Sequence, residues 1–248
     1  MKKIINVYCI TYGPHRLETE KKVISRLAEV VEKVDRNIWD IEIYICDNNS
    51  PNEFKTWLLE NYNNKLNLFF STENIGKARI VNRVHRDARP CDYVCSIDSD
   101  MLIKNDDFFE HMVYGLDAFD GKIGLVCANQ DKGNIHQMAY ITGELKENGH
   151  TYKTSPTGGT AGSCLMIRRH FWDAMGGYAE FDNIFGGNDG WVVMQITRNI
   201  KKLTSISVEA VCDHISDHTE QYHRWKVHQA STLKKTGKFN SNSGFYDK

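Results

Sequence analysis

The stretch Tyr93–Met101 reads YVCSIDSDM and joins a short apolar run to two carboxylates one residue apart. The residues from Tyr93 to Ile97 predict a buried β-strand. Asp98 and Asp100 would then lie at its carboxyl end, where open α/β sheets place their ligands. Carboxylates there suit a hard divalent cation and, through it, phosphate groups. An Asp-rich turn that caps the next helix would have the same sequence, so the rest of the chain must distinguish a cation site from such a turn.

The overall composition is that of an ordinary globular protein. Of the 248 residues, 41% are hydrophobic and 25% are charged, and the formal net charge is −1. This charge gives no field that favours nucleic acid or an anionic membrane. No apolar run approaches the roughly 20 residues of a transmembrane segment. The seven cysteines show no CxxC spacing, so we expect buried, reduced thiols and a cytoplasmic location.

The first 128 residues alternate between strand and helix patterns. Strands are predicted at Ile4–Thr11, Ile41–Cys46, Leu66–Phe70, Tyr93–Ile97 and Ile123–Ala128. Helices are predicted at Arg16–Val34, after a capping box at Ser50-Pro51, at Ile75–Ala88, and from Phe108 to Phe119. This rhythm predicts an α/β fold with a mostly parallel central sheet and flanking helices. Functional loops should gather at the carboxyl ends of its strands.

The pattern is less regular after residue 128. Short strands are predicted at His136–Thr142, His150–Lys153, Ser163–Arg168 and Ile206–Val211, with helices at Arg169–Met175 and for about ten residues after Gly190. We expect a single domain over residues 1–228, with a nucleotide-binding half (1–128) and a less regular second half (129–228). Residues 229–248 form a polar, basic tail.

Several further motifs follow one another in a fixed order. A Thr11-Tyr12 turn closes the first strand, Asp47 closes the second, and Gly76-Lys77 opens a helix. After the Asp98-Ser99-Asp100 motif come a Gly-Gly-Tyr segment at 176–178, a Gly-Gly-Asn-Asp segment at 186–189 next to Trp191, and His214 after the last strand.

This succession resembles the glycosyltransferases of the GT-A fold, most closely family 2 and its relatives. The resemblance covers residues from about 4 to 215. It implies a Rossmann-like nucleotide-binding half, and a metal-dependent enzyme that moves one sugar from a nucleotide-diphosphate sugar to a hydroxyl acceptor. UDP-sugar is the expected donor, and Mn²⁺ or Mg²⁺ the expected cofactor. The acceptor stays open among a glycan, a lipid-linked sugar, a protein and a modified nucleic acid.

The resemblance also implies roles for individual residues. Thr11, Tyr12 and Asp47 would bind the nucleoside, while Gly76 and Lys77 at a helix start would face phosphate. Asp100 would contact the metal, Asp98 would bind the ribose or the metal through water, and His214 would complete the metal ligands. Asp189 would be the general base, and Trp191 would stack on a sugar.

Structural alternatives accompany these roles. Asp47 would also suit an Asx turn before the Ser50-Pro51 helix. Asp189 would suit a helix N-cap. His214 competes as a ligand with the nearby Asp213, Asp217 and His218.

Two other functions fit the same pattern less well. A sugar nucleotidyltransferase usually has a glycine-rich loop after its first strand, whereas this chain has TYGPHR at residues 11–16. A non-catalytic binding module would have no need to combine Asp98, Asp100, Asp189 and His214. The sequence does not decide between inverting and retaining transfer.

Overall fold

The computed structural model describes residues 2–13, 16–130, 141–158, 163–181, 188–215, 224, 227 and 228. The strands in these residues are β1 (Lys3–Thr11), β2 (Trp39–Asp47), β3 (Asn67–Phe70), β4 (Tyr93–Asp98), β5 (Met101–Ile103), β6 (Ile123–Gln130), β7 (Gly143–Glu147), β8 (His150–Ser155), β9 (Cys164–Arg168) and β10 (Leu203–His214). The helices are α1 (Leu17–Lys33), α2 (Asn52–Tyr62), α3 (Lys77–Asp87), α4 (Phe108–Asp117), α5 (Arg169–Ala174) and α6 (Asn188–Met194).

All these strands join in one sheet, with the order β3-β2-β1-β4-β9-β6-β10-β8-β7 and with β5 paired to β10. The first four in this order are parallel, and so is the pair of β6 and β10. The contacts made by β5, β7, β8 and β9 are antiparallel. The prediction of an α/β fold with a central sheet and flanking helices is confirmed, and the sheet is mixed.

The core lies on both faces of the sheet because helices cover both. On β1, every residue from Ile5 to Thr11 is buried, as expected for a central parallel strand. One face packs against α1, which contributes Ile24 and Leu27, and the other face packs against α3, which contributes Val81. All seven cysteines are free, and all but Cys91 are buried.

The first residues of α2 correct one prediction. The capping box at Ser50-Pro51 is wrong: Pro51 precedes the helix with extended backbone, and no side chain caps it. The reason is that Asp47 accepts the backbone N–H of Ser50, at 3.2 Å to each carboxylate oxygen. The Asx turn therefore replaces the capping box.

The hairpin of β7 and β8 differs from its predicted position. The predicted strand at His136–Thr142 lies mostly outside the described residues, and β7 begins only at Gly143. Its turn is Asn148-Gly149, with φ of 51° and 83°. An Asn-Gly pair is the strongest short-range hairpin signal, so the sequence did contain the signal that places this turn at Asn148-Gly149.

Strand β10 is longer than predicted, with 12 residues rather than the stretch Ile206–Val211. Its register against β6 shifts between Ser207 and Val211. Beyond this bulge the strand continues beside β5, where His214 pairs with Met101. The extension therefore brings His214 next to the Asp98–Asp100 turn. In the described part of the chain, none of the helices combines the length and apolar character needed to cross a membrane.

Candidate active site

The predicted site residues converge at one edge of the sheet. Strands β1, β2 and β4 run parallel and end there with Thr11, Asp47 and Asp98, and β10 ends beside them with His214. This is the carboxyl edge at which open α/β sheets bind ligands.

Thr11 and Asp47 form the first pair at this edge. The Thr11 hydroxyl donates to Asp47 at 3.0 Å, and Lys55 Nζ lies 3.9 Å from the same carboxylate. Both Thr11 and Asp47 are buried. Burial raises the pKa of Asp47, while its hydrogen bonds with Ser50 and Thr11 act in the opposite direction. Asp47 thus makes the Asx turn and also carries a carboxylate at the sheet edge.

Lys77 joins two of the predicted carboxylates. It is the first residue of α3, directly after Gly76, whose φ of 85° favours glycine. Its ammonium lies 2.9 Å from Asp98 and 3.2 Å from Asp189. Burial disfavours the charge on Lys77, but the Asp189 and Asp98 carboxylates outweigh it and raise the pKa of Lys77 well above its usual range. Asp189 lies in the first turn of α6 rather than at its N-cap.

Asp98 and Asp100 differ in pKa although only Ser99 separates them. Burial raises the pKa of Asp98 to about 6, against the opposing effect of Lys77. Burial also disfavours the Asp100 carboxylate, but His214 and Arg16 outweigh it and lower the pKa of Asp100 to about 2. Asp100 is therefore ionised at neutral pH.

His214 and Asp100 meet although 114 residues separate them in sequence; His214 Nε2 lies 3.2 Å from Asp100 Oδ2. This contact raises the pKa of His214. The competing Asp213 points instead to Lys104 at 2.8 Å. Asp217 and His218 lie outside the described residues. Of the candidates that the structure describes, His214 is the one that contacts the Asp98–Asp100 motif.

Sequence reasoning missed two charged residues, Arg16 and Glu20. The Arg16 guanidinium lies 2.6 Å from Asp100 Oδ2. Glu20 accepts the Tyr12 backbone N–H at 3.0 Å and the Ser99 hydroxyl at 2.9 Å. Glu20 thereby ties the end of β1 to the acidic turn. An acid in the first turn of a helix is common because of the helix dipole, so the sequence pattern gave no sign that Glu20 is buried.

The carboxyl group of Glu20 predicts a measurable pH effect on stability. Burial raises the pKa of Glu20 from 4.5 to about 7. The folded state therefore holds the proton more tightly, and this stabilisation is complete below pH 4.5 and is lost as the pH rises through 7. The two pKa values correspond to roughly 3 kcal/mol. We expect Glu20→Gln to unfold at higher urea than the wild type at pH 8, with the gap closing towards pH 4.5.

The control for this prediction is Glu32→Gln on the same helix, where Glu32 is exposed. Its free energy of unfolding should differ from the wild type by a nearly constant amount over this pH range. A Glu20→Gln curve that runs parallel to the wild-type curve would contradict the prediction.

A pair of asparagines connects the Asp47 loop with α3. Asn48 accepts the Ile75 N–H at 2.8 Å and donates to Asn74. Asn74 in turn accepts the Gly76 N–H at 3.1 Å. These bonds position the start of α3, and hence Lys77, relative to the end of β2.

The Gly-Gly-Tyr segment is fastened to α3 through Asn82. The Asn82 amide accepts the Tyr178 N–H at 3.0 Å and donates to the Tyr178 carbonyl at 2.8 Å and to Glu180 at 3.0 Å. The Tyr178 ring lies 5.5 Å from the Lys77 ammonium, a cation–π distance. Thus the segment supports the residue that joins Asp98 and Asp189.

Alanine at Gly177 should weaken this fastening. Gly177 and Gly176 both have positive φ, 78° and 72°, so alanine at either position costs about 1–2 kcal/mol of backbone strain. At Gly177 the new Cβ would also lie 2.4 Å from Asn82 Oδ1, whereas at Gly176 no atom lies within 4 Å. Disturbing the buried Asn82 bonds should add about 1–3 kcal/mol.

Urea denaturation of the two variants measures this difference directly, because Gly176→Ala carries the strain alone. We expect Gly177→Ala to have the lower midpoint. Equal midpoints for the two variants would show that the Asn82 contacts contribute nothing.

Tyr12 and Trp191 are the aromatic residues predicted to contact the ligand. Tyr12 is partly exposed at the end of β1. Trp191 is partly buried, with its ring edge-to-face with Phe181 at 6.4 Å between centroids. Among the described residues, the buried Trp191 indole N–H has no hydrogen-bond partner. A buried donor without a partner is costly in an unliganded protein, and this suits a ligand contact.

The residue types at this edge are ones that bind divalent cations. Asp100 Oδ1 is buried and has no hydrogen-bond partner among the described atoms, while Oδ2 faces His214 and Arg16. Two carboxylates and one imidazole are a donor set that suits Mn²⁺, and carboxylates also suit Mg²⁺.

The match to a known family covers the core of this site. Residues 20–175 match the model of glycosyl transferase family 2. The chain belongs to this family. The matched region contains Asp47, Lys77, Asp98 and Asp100, whereas Asp189 and His214 lie beyond it. Membership confirms the predicted relation to family 2.

Solved structures confirm the predicted GT-A fold, and the chain spans less than two thirds of the length of two of them. One is the mannosyltransferase PcManGT from Pyrobaculum calidifontis, with a TM-score of 0.63 and 19% identity; the match covers 94% of this chain and 62% of that one. A second is S. aureus TarS 1-349, with a TM-score of 0.62 and 17% identity; the match covers 99% of this chain and 74% of that one. A third is GalNAc-T7, with a TM-score of 0.60 and 13% identity; the match covers 86% of this chain and 44% of that one. No curated protein sequence matches the chain.

Proposed function

We propose that this chain moves one sugar from a nucleotide-diphosphate sugar to a hydroxyl acceptor, with Mn²⁺ or Mg²⁺ as cofactor. The observation that carries the proposal is the meeting of Asp100 and His214 beside Asp98, at the carboxyl edge of the sheet. The structure of PcManGT holds GDP-Man and Mn²⁺, and TarS 1-349 has been solved with UDP-GlcNAc. We take UDP-sugar as the first donor to test.

The nucleoside would bind beside Thr11, Tyr12 and Asp47. Asp47 is held by Thr11 and Ser50, so its carboxylate is fixed in position before a ribose or base arrives. Tyr12 offers a partly exposed ring at the end of β1 for stacking on the base.

The diphosphate would bind between the start of α3 and the acidic turn. Gly76 and Lys77 supply a helix N-terminus and an ammonium group, both of which attract phosphate. Asp98, Asp100 and His214 would hold the cation, which supplies Lewis-acid neutralisation of the charge on the leaving diphosphate. Asp98, next to Lys77, would contact the ribose or the metal through water.

Asp189 is the proposed general base for the acceptor hydroxyl. In the structure its carboxylate is paired with Lys77 at 3.2 Å. A bound diphosphate would compete for the same ammonium, and this exchange would release Asp189 to accept the acceptor's proton. Lys77 would thus link donor binding to the readiness of the base. This role assumes inverting transfer.

The sequence also leads us to propose how the chain is divided, which acceptors it uses and where it is located. We keep residues 1–128 as the nucleotide-binding half, 129–228 as the acceptor half, and 229–248 as a basic tail that lies outside the described residues. The acceptor is a glycan, a lipid-linked sugar, a protein or a modified nucleic acid. The free cysteines support the proposed cytoplasmic location.

The function is tested by calorimetry with UDP and GDP, each with and without Mn²⁺. We expect metal-dependent binding of one nucleotide, and a subsequent screen of its sugars by nucleotide release should identify the donor. Mass spectrometry of candidate acceptors would then detect the added sugar. Nucleotide binding that is indifferent to Mn²⁺, or absent, would refute the proposal.

Trp191 gives a further prediction about the sugar. Trp191→Phe keeps an aromatic face but removes the unpartnered indole N–H. If that N–H donates to a sugar hydroxyl, kcat/KM should fall about tenfold, the value of one hydrogen bond, while UDP affinity stays the same. Phe181→Leu is the control for the edge-to-face contact. An unchanged kcat/KM for Trp191→Phe would leave stacking as the only role of the ring.

A further inference from the structure

A second group of metal-ligating side chains lies outside the proposed active site. His111 of α4, His150 of β8 and Glu209 of β10 each offer one ligand atom, and these atoms all lie within 4.8 Å of one another. All three residues are partly buried. Glu209 lies in the bulge of β10, before the segment that reaches His214. None of the three belongs to the proposed cation-binding set of Asp98, Asp100 and His214.

The two imidazole rings approach each other through their Nδ1 atoms. His111 Nδ1 and His150 Nδ1 are 3.1 Å apart. On the far side of its ring, His111 Nε2 lies 3.0 Å from Asp107. A carboxylate on that side fixes the Nε2–H tautomer and leaves the Nδ1 lone pair free to bind a metal, an arrangement typical of metal-binding histidines.

The other two ligands are also held in place. The His150 ring stacks on Tyr114, with centroids 3.8 Å apart and planes 16° from parallel. The Thr151 N–H donates to both Glu209 oxygens, at 3.1 and 3.0 Å. A carboxylate oxygen can accept one N–H and still bind a cation.

The spacing suits a tetrahedral cation. Zn–N bonds of 2.0–2.1 Å place tetrahedral ligands about 3.3 Å apart, close to the 3.1 Å between the two Nδ1 atoms. The charges agree as well, because the Glu209 and Asp107 carboxylates supply negative charge to balance a divalent cation. Imidazole with carboxylate favours zinc over the hard cations.

We propose that His111, His150 and Glu209 form a zinc site, with a fourth position open to water and Asp107 as the carboxylate that orients His111. The ion would tie α4 and the β7–β8 hairpin to the bulge of β10, whose far end carries His214. The site is separate from the proposed catalytic cation and stands whether or not the transferase proposal holds.

The test measures zinc bound by the full chain after removal of metal with EDTA, titration with Zn²⁺ and desalting. The background variant is Asp100→Asn, which disables the proposed catalytic cation site. We expect one zinc per chain in this background and none after adding His150→Gln. His170→Gln, a change of an exposed histidine on α5, is the matched control and should keep the zinc.

A more conservative variant guards against misfolding of His150→Gln. Asp107→Asn leaves all three ligands in place and should weaken zinc binding about 10–100-fold, with unchanged circular dichroism. Co²⁺ bound in place of zinc should show the visible absorption of a tetrahedral site, and His150→Gln should abolish it. Equal zinc content with and without His150→Gln, or no zinc at all in the Asp100→Asn background, would show that the imidazoles form a plain hydrogen-bonded pair.

Discussion

Replacing Asp100 with asparagine should abolish the effect of Mn²⁺ on nucleotide binding and lower kcat/KM on the order of a thousandfold. The change keeps the shape of the side chain but removes the charge that faces His214 and Arg16. A carboxylate whose pKa is about 2 is ionised throughout the working range. Losing an electrostatic group of this kind at a reacting centre typically costs about 10²–10³ in rate. Calorimetry with UDP, with and without Mn²⁺, measures the binding effect.

Asp213→Asn is the matched control for this variant. Like Asp100, Asp213 is a carboxylate near the site. It lies on β10 and pairs with Lys104 instead of the acidic turn. We expect nearly wild-type kcat/KM and normal Mn²⁺ dependence. If Asp213→Asn lost the metal effect and Asp100→Asn kept it, the proposed ligand set would be wrong.

Asp189→Asn should separate donor binding from transfer. We expect Mn²⁺-dependent UDP binding to persist, while kcat for transfer falls about 10²–10⁴-fold because no general base remains. Mass spectrometry of the acceptor and nucleotide release follow the two activities separately.

The contact with Lys77 requires a control for this variant. Asp189→Asn also weakens the ion pair between Asp189 and Lys77 at the start of α3. Lys77→Met separates the two effects, because loss of the ammonium should weaken nucleotide binding, whereas loss of the base should not. An exposed carboxylate on the same helix, Asp87, gives the neutral control Asp87→Asn. Wild-type transfer by Asp189→Asn would exclude Asp189 as the base.

Most of the parallel half of the fold could be predicted from periodicity alone. Apolar runs such as those of β1 and β4 are buried on both faces, so their residue types identify them without tertiary information. Strand β9 was placed correctly but its partners were not predictable. It runs antiparallel between β4 and β6, and pairing over such sequence separations depends on the whole sheet rather than on local pattern.

Some residues of the candidate site could be predicted from the sequence and others could not. Thr11 ends a predicted strand, and Asp47, Asp98 and Asp100 closely follow predicted strands, so topology alone brings them together. Glu20 was missed because an acid in the first turn of a helix is usual and gives no sign of burial. Arg16 was missed because its partner, Asp100, is distant in sequence. The meeting of Asp100 with His214 depends on the extension of β10 past its bulge, and a bulge has no reliable signature in a single sequence.

The position of β9 between β4 and β6 has a consequence for engineering this protein. A chimaera that joins residues 1–128 to the second half of another transferase would separate β4 from the strand that covers its edge. The Asp98 N–H, which bonds to Ser163 at 2.7 Å just before β9, would lose its anchor too. Bare strand edges promote aggregation. Donor preference should therefore be altered by point changes around the sheet edge, because the two halves cannot be exchanged as independent cassettes.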